Sequence, residues 1–147
     1  SDNRYALLLV GDGKAIPGLI WLANELHIYE RCFCAGFRSN IQPFYNLIDV
    51  YAMTSRSEGF GLSLIEAASL KVPVVCSSID TFKELFNPNE VSFYELDDID
   101  SLVNALERSV QNKESLTTKA FEKYKREYIA EKMAEKYMAF YNLLLVP

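Results

Sequence analysis

Five short apolar runs, at residues 5–10, 31–35, 49–54, 72–76 and more weakly 91–94, are each separated from the next by a stretch with helical spacing. Continuous apolar runs of this length suit strands buried on both faces, as parallel sheets require. The intervening helices are expected at residues 17–26, 41–48, 61–70 and 81–86, with Pro17 and Pro43 tolerable in first turns. Three more helices follow, the first capped by Asp97 and running to about 111, the others at 115–126 and 128–145. Strand and helix alternating in this way build βαβ units with right-handed crossovers. The expected fold class is therefore α/β, a Rossmann-like three-layer α/β/α domain on a parallel sheet. In such sheets a ligand binds beyond the carboxyl ends of the strands. Residues 11–13, 36–38, 55–61 and 77–80 all fall there.

At 147 residues the chain suits one domain, residues 1–147, with 115–147 as its C-terminal helices. The net charge of -5 argues against wrapping nucleic acid, which needs a basic face. A phosphate-bearing small ligand stays open, because backbone N–H groups bind anions whatever the net charge. Cys32, Cys34 and Cys76 are too few for a disulfide framework and are expected as buried reduced thiols. His27, the one histidine, has no paired spacing with them, so no metal is expected, and it reads as a helix C-terminal cap. No apolar run approaches a membrane span and no signal peptide is seen, which points to a cytoplasmic protein. The last segment places Met133, Tyr137, Phe140 and Tyr141 at helical spacing, the pattern of a helix packing its apolar face on the domain.

Two motifs carry chemistry. Gly11-Asp12-Gly13 follows the first strand, and allows either close backbone approach by a ligand or a plain turn. Ile16 stands where a dinucleotide fingerprint needs its third glycine. More informative is Ser55-Arg56-Ser57-Glu58-Gly59-Phe60-Gly61-Leu62-Ser63-Leu64-Ile65-Glu66-Ala67. Two glycines lead into a helix start, where bare N–H groups can face an anion. Glu58 and Glu66 bracket that point, and ionised carboxylates accept hydrogen bonds strongly from hydroxyls. A phosphate flanked by two polyols is a nucleotide sugar. Asp98-Ile99-Asp100 imitates a metal-binding Asp-x-Asp, but it opens a helix, where Asp caps.

This stretch resembles the donor motif of retaining GT-B glycosyltransferases of the family 4 type (glycosyl transferases group 1), in which two glutamates have seven residues between them. Glu58 and Glu66 have that spacing around an intact Glu-Gly-Phe-Gly core. Leu9-Val10-Gly11-Asp12-Gly13, Ala35-Gly36-Phe37-Arg38, Ile48-Asp49-Val50, Pro73-Val74-Val75 and Glu84-Leu85 sit where the family has similar words. The resemblance covers about residues 7–109. It implies that Glu58 is the catalytic residue, holding hydroxyls of the transferred sugar, and that Glu66 accepts from the ribose diol. It implies donor binding through Gly59, Phe60, Gly61, Leu62 and Ser63 at the diphosphate and sugar, Phe37 and Arg38 at the base, and Gly11 and Gly13 in the cleft.

Lys71, Thr54 and Lys83 depart from the family's usual glycine, proline and small residue. The resemblance further implies that the chain is one half of a GT-B fold. A strand and helix with diphosphate-binding Arg and Lys, and an acceptor domain with a catalytic histidine, would lie elsewhere. The implied partners are a nucleotide diphosphate sugar and a glycan or lipid-linked acceptor reached through that other domain, with peripheral membrane association of the full-length protein. No cofactor or metal is implied, and surface polysaccharide biosynthesis is the expected setting. A nucleotide-sugar epimerase on the same fold and a non-catalytic nucleotide-sugar scaffold are the competing functions.

Overall fold

The computed structural model describes residues 5–144. The chain divides after Ile48 into two compact units. In the first, β1 (Leu7–Leu9) pairs in parallel with β2 (Cys32–Cys34), Leu7 opposite Cys32 and Leu9 opposite Cys34. Helix α1 (Ile16–Glu25) makes the crossover, with Pro17 in its first turn, where a missing N–H costs nothing. A 3-10 turn (Tyr29–Arg31) leads into β2, and α2 (Gln42–Tyr45) is a single turn where a two-turn helix was expected. His27 lies just past the α1 C-cap at φ 55, its N–H donating to the Asn24 carbonyl at 2.9 Å, so it does terminate that helix.

Burial in this unit departs from the sequence expectation. Leu7 is 48% exposed, so β1 is not covered on both faces. Helix α1 does not close over the strands, and an open apolar groove lined by Leu7, Leu19, Leu22, Leu26 and Tyr29 remains. Cys34 is exposed and Cys32 half-buried, against the expectation of buried thiols; alternation puts them on one face, but that face is only partly covered.

In the second unit β3 (Tyr51–Met53), β4 (Val74–Ser77) and β5 (Ser92–Tyr94) form a parallel sheet in that order. Tyr51 pairs with Val74 and Cys76 with Phe93. The central strand β4 is buried throughout, as its unbroken apolar run demands. Around it stand α3 (Leu62–Ser69), α4 (Asp80–Leu85), α5 (Ile99–Gln111), α6 (Lys113–Glu127) and α7 (Ala130–Leu144). Helix α5 packs on β5 and β4, and α3 packs on α6. The core gathers Leu64, Val74, Val75, Phe82, Phe86 and Val91, all essentially without solvent exposure. Inside it the Ser109 hydroxyl donates to that of Ser92 at 2.9 Å, so neither polar group is stranded.

Helix ends follow local chemistry. Asp98, not Asp97, caps α5, its carboxylate accepting from the Ser101 N–H at 2.9 Å. Asp97 is displaced from the cap by its own backbone, which turns left-handed at φ 64. Lys71 terminates α3 at φ 55 and lays its ammonium 4.7 Å above the Phe121 ring. Helix α7 forms, yet none of its residues is buried, and Met133, Tyr137, Phe140 and Tyr141 are exposed, so the expected packing of its apolar face is not made. Leu145, where the sequence ended this helix, lies outside the described residues. No helix among the described residues is long and apolar enough to cross a membrane.

Candidate functional site

The residues expected to bind a donor fall into two groups, one in each unit. In the first unit the loops after β1 and β2 meet through Gly11, whose N–H donates to the Gly36 carbonyl at 2.9 Å. Gly11 stands at φ 143 and Gly36 at φ 69, conformations that favour glycine. The Gly13 N–H is turned inward on the Asp12 carboxylate at 2.7 Å, which stabilises the turn itself. Phe37 is 72% exposed and Arg38 is exposed beside it. Phe37 thus leaves a large ring in water next to the Gly36 turn.

The second group is denser. The polypeptide leaves β3 at Met53, runs through the loop 54–60 and enters α3 at Leu62. Gly61 is the N-cap at φ 86, and no side chain caps the helix. A Cβ added there would lie 3.0 Å from the Phe82 ring, 3.1 Å from Leu64 and 3.2 Å from Leu85. Glycine is therefore demanded twice, by the left-handed turn and by the buried wall behind it. Gly59 is different, since a Cβ there meets nothing within 4 Å. The space beside it is open, two residues before the Gly61 cap of a helix whose N-terminus carries partial positive charge. Phe60 and Leu62 are exposed at the mouth.

Glu58 is half-buried and its carboxylate accepts from the Gly59 N–H at 3.2 Å. Glu66 is exposed one turn along α3 from Ser63. The Ser63 hydroxyl donates to the Met53 sulfur at 3.4 Å and is hydrogen-bonded with the Tyr51 phenol. Burial pushes the Tyr51 phenol above its ordinary value, the bond with Ser63 draws it back, and the charges of Glu66 and then Glu58 raise it further. One half-buried phenol thus senses both glutamates. The sequence reading overlooked Tyr51; the signal was a hydroxyl two residues before Met53 in an otherwise apolar strand, on the same face.

Three further contacts hold the loop 54–60, and these were also overlooked. Ser77, at the end of β4, donates its hydroxyl to the Ser55 carbonyl at 2.5 Å. Thr81, in the first turn of α4, donates to the Glu58 carbonyl at 3.1 Å. Arg56 forks onto Asp97, one arm at 2.8 Å. That hydrogen bond holds the Asp97 carboxyl below its ordinary value and the Arg56 guanidinium above its own. Asp98 and Asp100 serve α5 as its cap and its first-turn acid, with Asp98 engaged by Ser101.

Comparison with known proteins extends what the geometry shows. The family model described as glycosyl transferases group 1 matches residues 1–128. The O-antigen biosynthesis glycosyltransferase WclY of Escherichia coli is 31% identical over 143 residues, 97% of this chain and 40% of that protein. An Escherichia coli UDP-Gal:alpha-D-GlcNAc-diphosphoundecaprenol alpha-1,3-galactosyltransferase is 32% identical over 108 residues, 72% of this chain and 28% of that protein. Among solved structures, a glycosyltransferase from Rickettsia africae superposes with a TM-score of 0.86 at 20% identity, over 97% of this chain and 40% of that one. Anabaena HepE in complex with UDP gives 0.83 at 20% identity, over 94% of this chain and 42% of that one. These likenesses show the fold, that of a GT-B glycosyltransferase domain. The chain spans 40% of the length of the first relative.

Proposed function

Because this chain belongs to the glycosyl transferases group 1 family, we propose that it is the half of a retaining, family 4 type glycosyltransferase that binds the nucleotide diphosphate sugar. The observation that carries the reading is the stretch from Glu58 to Glu66. There a left-handed glycine opens a helix that no side chain caps, with a carboxylate on either side. Such a terminus attracts a diphosphate, and the carboxylates select hydroxyl-bearing neighbours over a bare phosphate. Glu66 would accept from the ribose diol and Glu58 from the transferred sugar, holding its anomeric carbon in line with the acceptor. The amides of Phe60, Gly61, Leu62 and Ser63, joined by that of Gly59 once the Glu58 carboxylate releases it, would stabilise the departing diphosphate as its charge develops.

The similarity to WclY, an O-antigen biosynthesis glycosyltransferase, and to a galactosyltransferase acting on a diphosphoundecaprenol substrate supports a glycan or lipid-linked acceptor in cell-surface polysaccharide assembly. The acceptor would be bound by a second domain, in a cytoplasmic protein associated peripherally with the membrane. We take UDP-sugars as the first donors to test, because HepE was solved with UDP. The proposed site uses no resident cofactor and no metal, so EDTA should leave turnover unchanged. The test is a transfer assay on the full-length protein with UDP-linked and GDP-linked sugars and a lipid-diphosphate glycan acceptor. The expected result is donor-dependent transfer that Glu66→Ala weakens through donor KM. Binding without turnover would instead indicate a scaffold, and full transfer by Glu66→Ala would remove the role given to that residue.

A further inference from the structure

The loop 54–60 is held at three positions: Ser55 by Ser77 at the end of β4, Arg56 by Asp97 just before the α5 cap, and Glu58 by Thr81 in the first turn of α4. The last contact sits at a sensitive place. The Glu58 carbonyl belongs to the peptide that joins Glu58 to Gly59, and glycine offers that peptide little steric guidance. A Cβ at Gly59 would meet nothing within 4 Å, so packing does not steady the peptide either, and its N–H turns back on the Glu58 carboxylate at 3.2 Å. The half-buried Thr81 hydroxyl at 3.1 Å fixes the plane of this peptide, and with it the direction in which the Glu58 side chain leaves the backbone.

Asp97 adds a second restraint. Its backbone adopts φ 64, which few residues other than glycine accept, although Asp and Asn are the least penalised. Such conformations persist where the surroundings over-determine them. Here the fork to Arg56 supplies that, joining residues 41 positions apart. Both side chains are about two-thirds exposed (70% and 67%), so the pair is open to salt screening.

We propose that Thr81 is a positioning residue for Glu58, and that the Arg56–Asp97 pair reinforces it by fixing the start of the same loop. The proposal rests on the reading that Glu58 contacts the transferred sugar. Neither Thr81 nor Asp97 faces the ligand in this account; each acts through the backbone that carries Glu58. Loss of the Thr81 bond should therefore misplace the sugar without weakening the grip on the nucleotide.

The experiment compares Thr81→Val, Thr81→Ser, Asp97→Asn and Glu58→Gln with wild type in the full-length protein. It measures kcat and donor KM for transfer, and UDP affinity by calorimetry. Thr81→Val keeps the side-chain shape and removes the hydroxyl. It should lower kcat about tenfold, the rate equivalent of one hydrogen bond, with UDP affinity held within about twofold. Thr81→Ser should recover most of that loss. Asp97→Asn tolerates the left-handed backbone but discharges the pair. It should lower kcat about threefold at low ionic strength, and wild type should converge on it in about 1 M salt.

Wild-type kcat in Thr81→Val, or an equal fall in kcat and UDP affinity, would overturn the proposal. If Glu58→Gln is inactive while Thr81→Val is normal, the positioning role alone fails. If Glu58→Gln transfers sugar as wild type does, or wild type shows no nucleotide-dependent transfer, the reading of the site fails and the proposal falls with it.

Discussion

Replacing Gly61 by alanine tests the most tightly specified point of the candidate site. At φ 86 an L-residue crowds its own carbonyl, at a cost of about 1–2 kcal/mol. The added methyl would also stand 3.0 Å from the ring of Phe82, which is fully buried, with Leu64 and Leu85 at 3.1 and 3.2 Å. Those side chains form the wall between α3 and α4 and cannot move outward into solvent, so overpacking adds about 1–3 kcal/mol. Restricting the unfolded chain returns about 0.4–1 kcal/mol. The net destabilisation is about 2–4 kcal/mol, a drop of about 1–2 M in the urea midpoint. Gly59→Ala is the internal control, because its methyl would meet nothing within 4 Å. It should change stability by no more than about 0.5 kcal/mol. Equal midpoints for Gly61→Ala and wild type, or equal losses for the two variants, would refute the argument.

Glu90 and Lys123 face each other at 3.5 Å with side chains only 10% and 12% exposed, and Glu90 also accepts from the Asn87 N–H at 2.8 Å. Glu90→Ala should cost about 3–5 kcal/mol in urea unfolding by stranding the ammonium, and adding Lys123→Met should recover part of it; a double variant no better than the single would contradict this. Burial pushes the Cys76 thiol from 9.0 to about 12, and burial first, then the charge of Glu127, pushes the Tyr128 phenol from 10.0 to about 12. Both groups stay neutral in the fold while the unfolded chain releases their protons, so their stabilisation is complete below pH 9 and declines as pH rises toward 12. The Cys76 share is at most roughly 4 kcal/mol. Thermal melts at pH 8, 10 and 11 should show that decline, smaller in Cys76→Ala; a flat profile would contradict it.

The second unit was legible in the sequence because its signals are local. The apolar run of β4, the two glycines before α3 and the aspartates before α5 each act over a few residues. Burial of β1 was not legible, because an apolar run states what a strand needs rather than what covers it. The same holds for α7, whose apolar stripe forms without being covered. Asp97 was misplaced as a cap because local pattern does not separate two adjacent aspartates. What separates them is a long-range event: Asp97 turns left-handed and meets Arg56, while Asp98 accepts from Ser101. The contacts from Thr81 and Ser77 to the loop 54–60 were hidden for the same reason, since they join segments 23 and 22 residues apart. The glutamates and glycines that would touch a ligand were readable; the hydroxyls that hold them in place required the fold.

The central claim is that the segment from Glu58 to Glu66 receives a nucleotide, with Glu66 on the ribose diol. Calorimetric titration of the full-length protein with UDP and with 2′,3′-dideoxy-UDP, in wild type and in Glu66→Ala, tests it most directly. Hydrogen bonds to a charged group contribute about 1.5–3 kcal/mol, so removing the diol should weaken wild-type binding about 10–100-fold. Glu66→Ala should bind both nucleotides with the same reduced affinity. A Glu66→Ala variant that still prefers UDP over the dideoxy analogue by the wild-type factor would contradict the account.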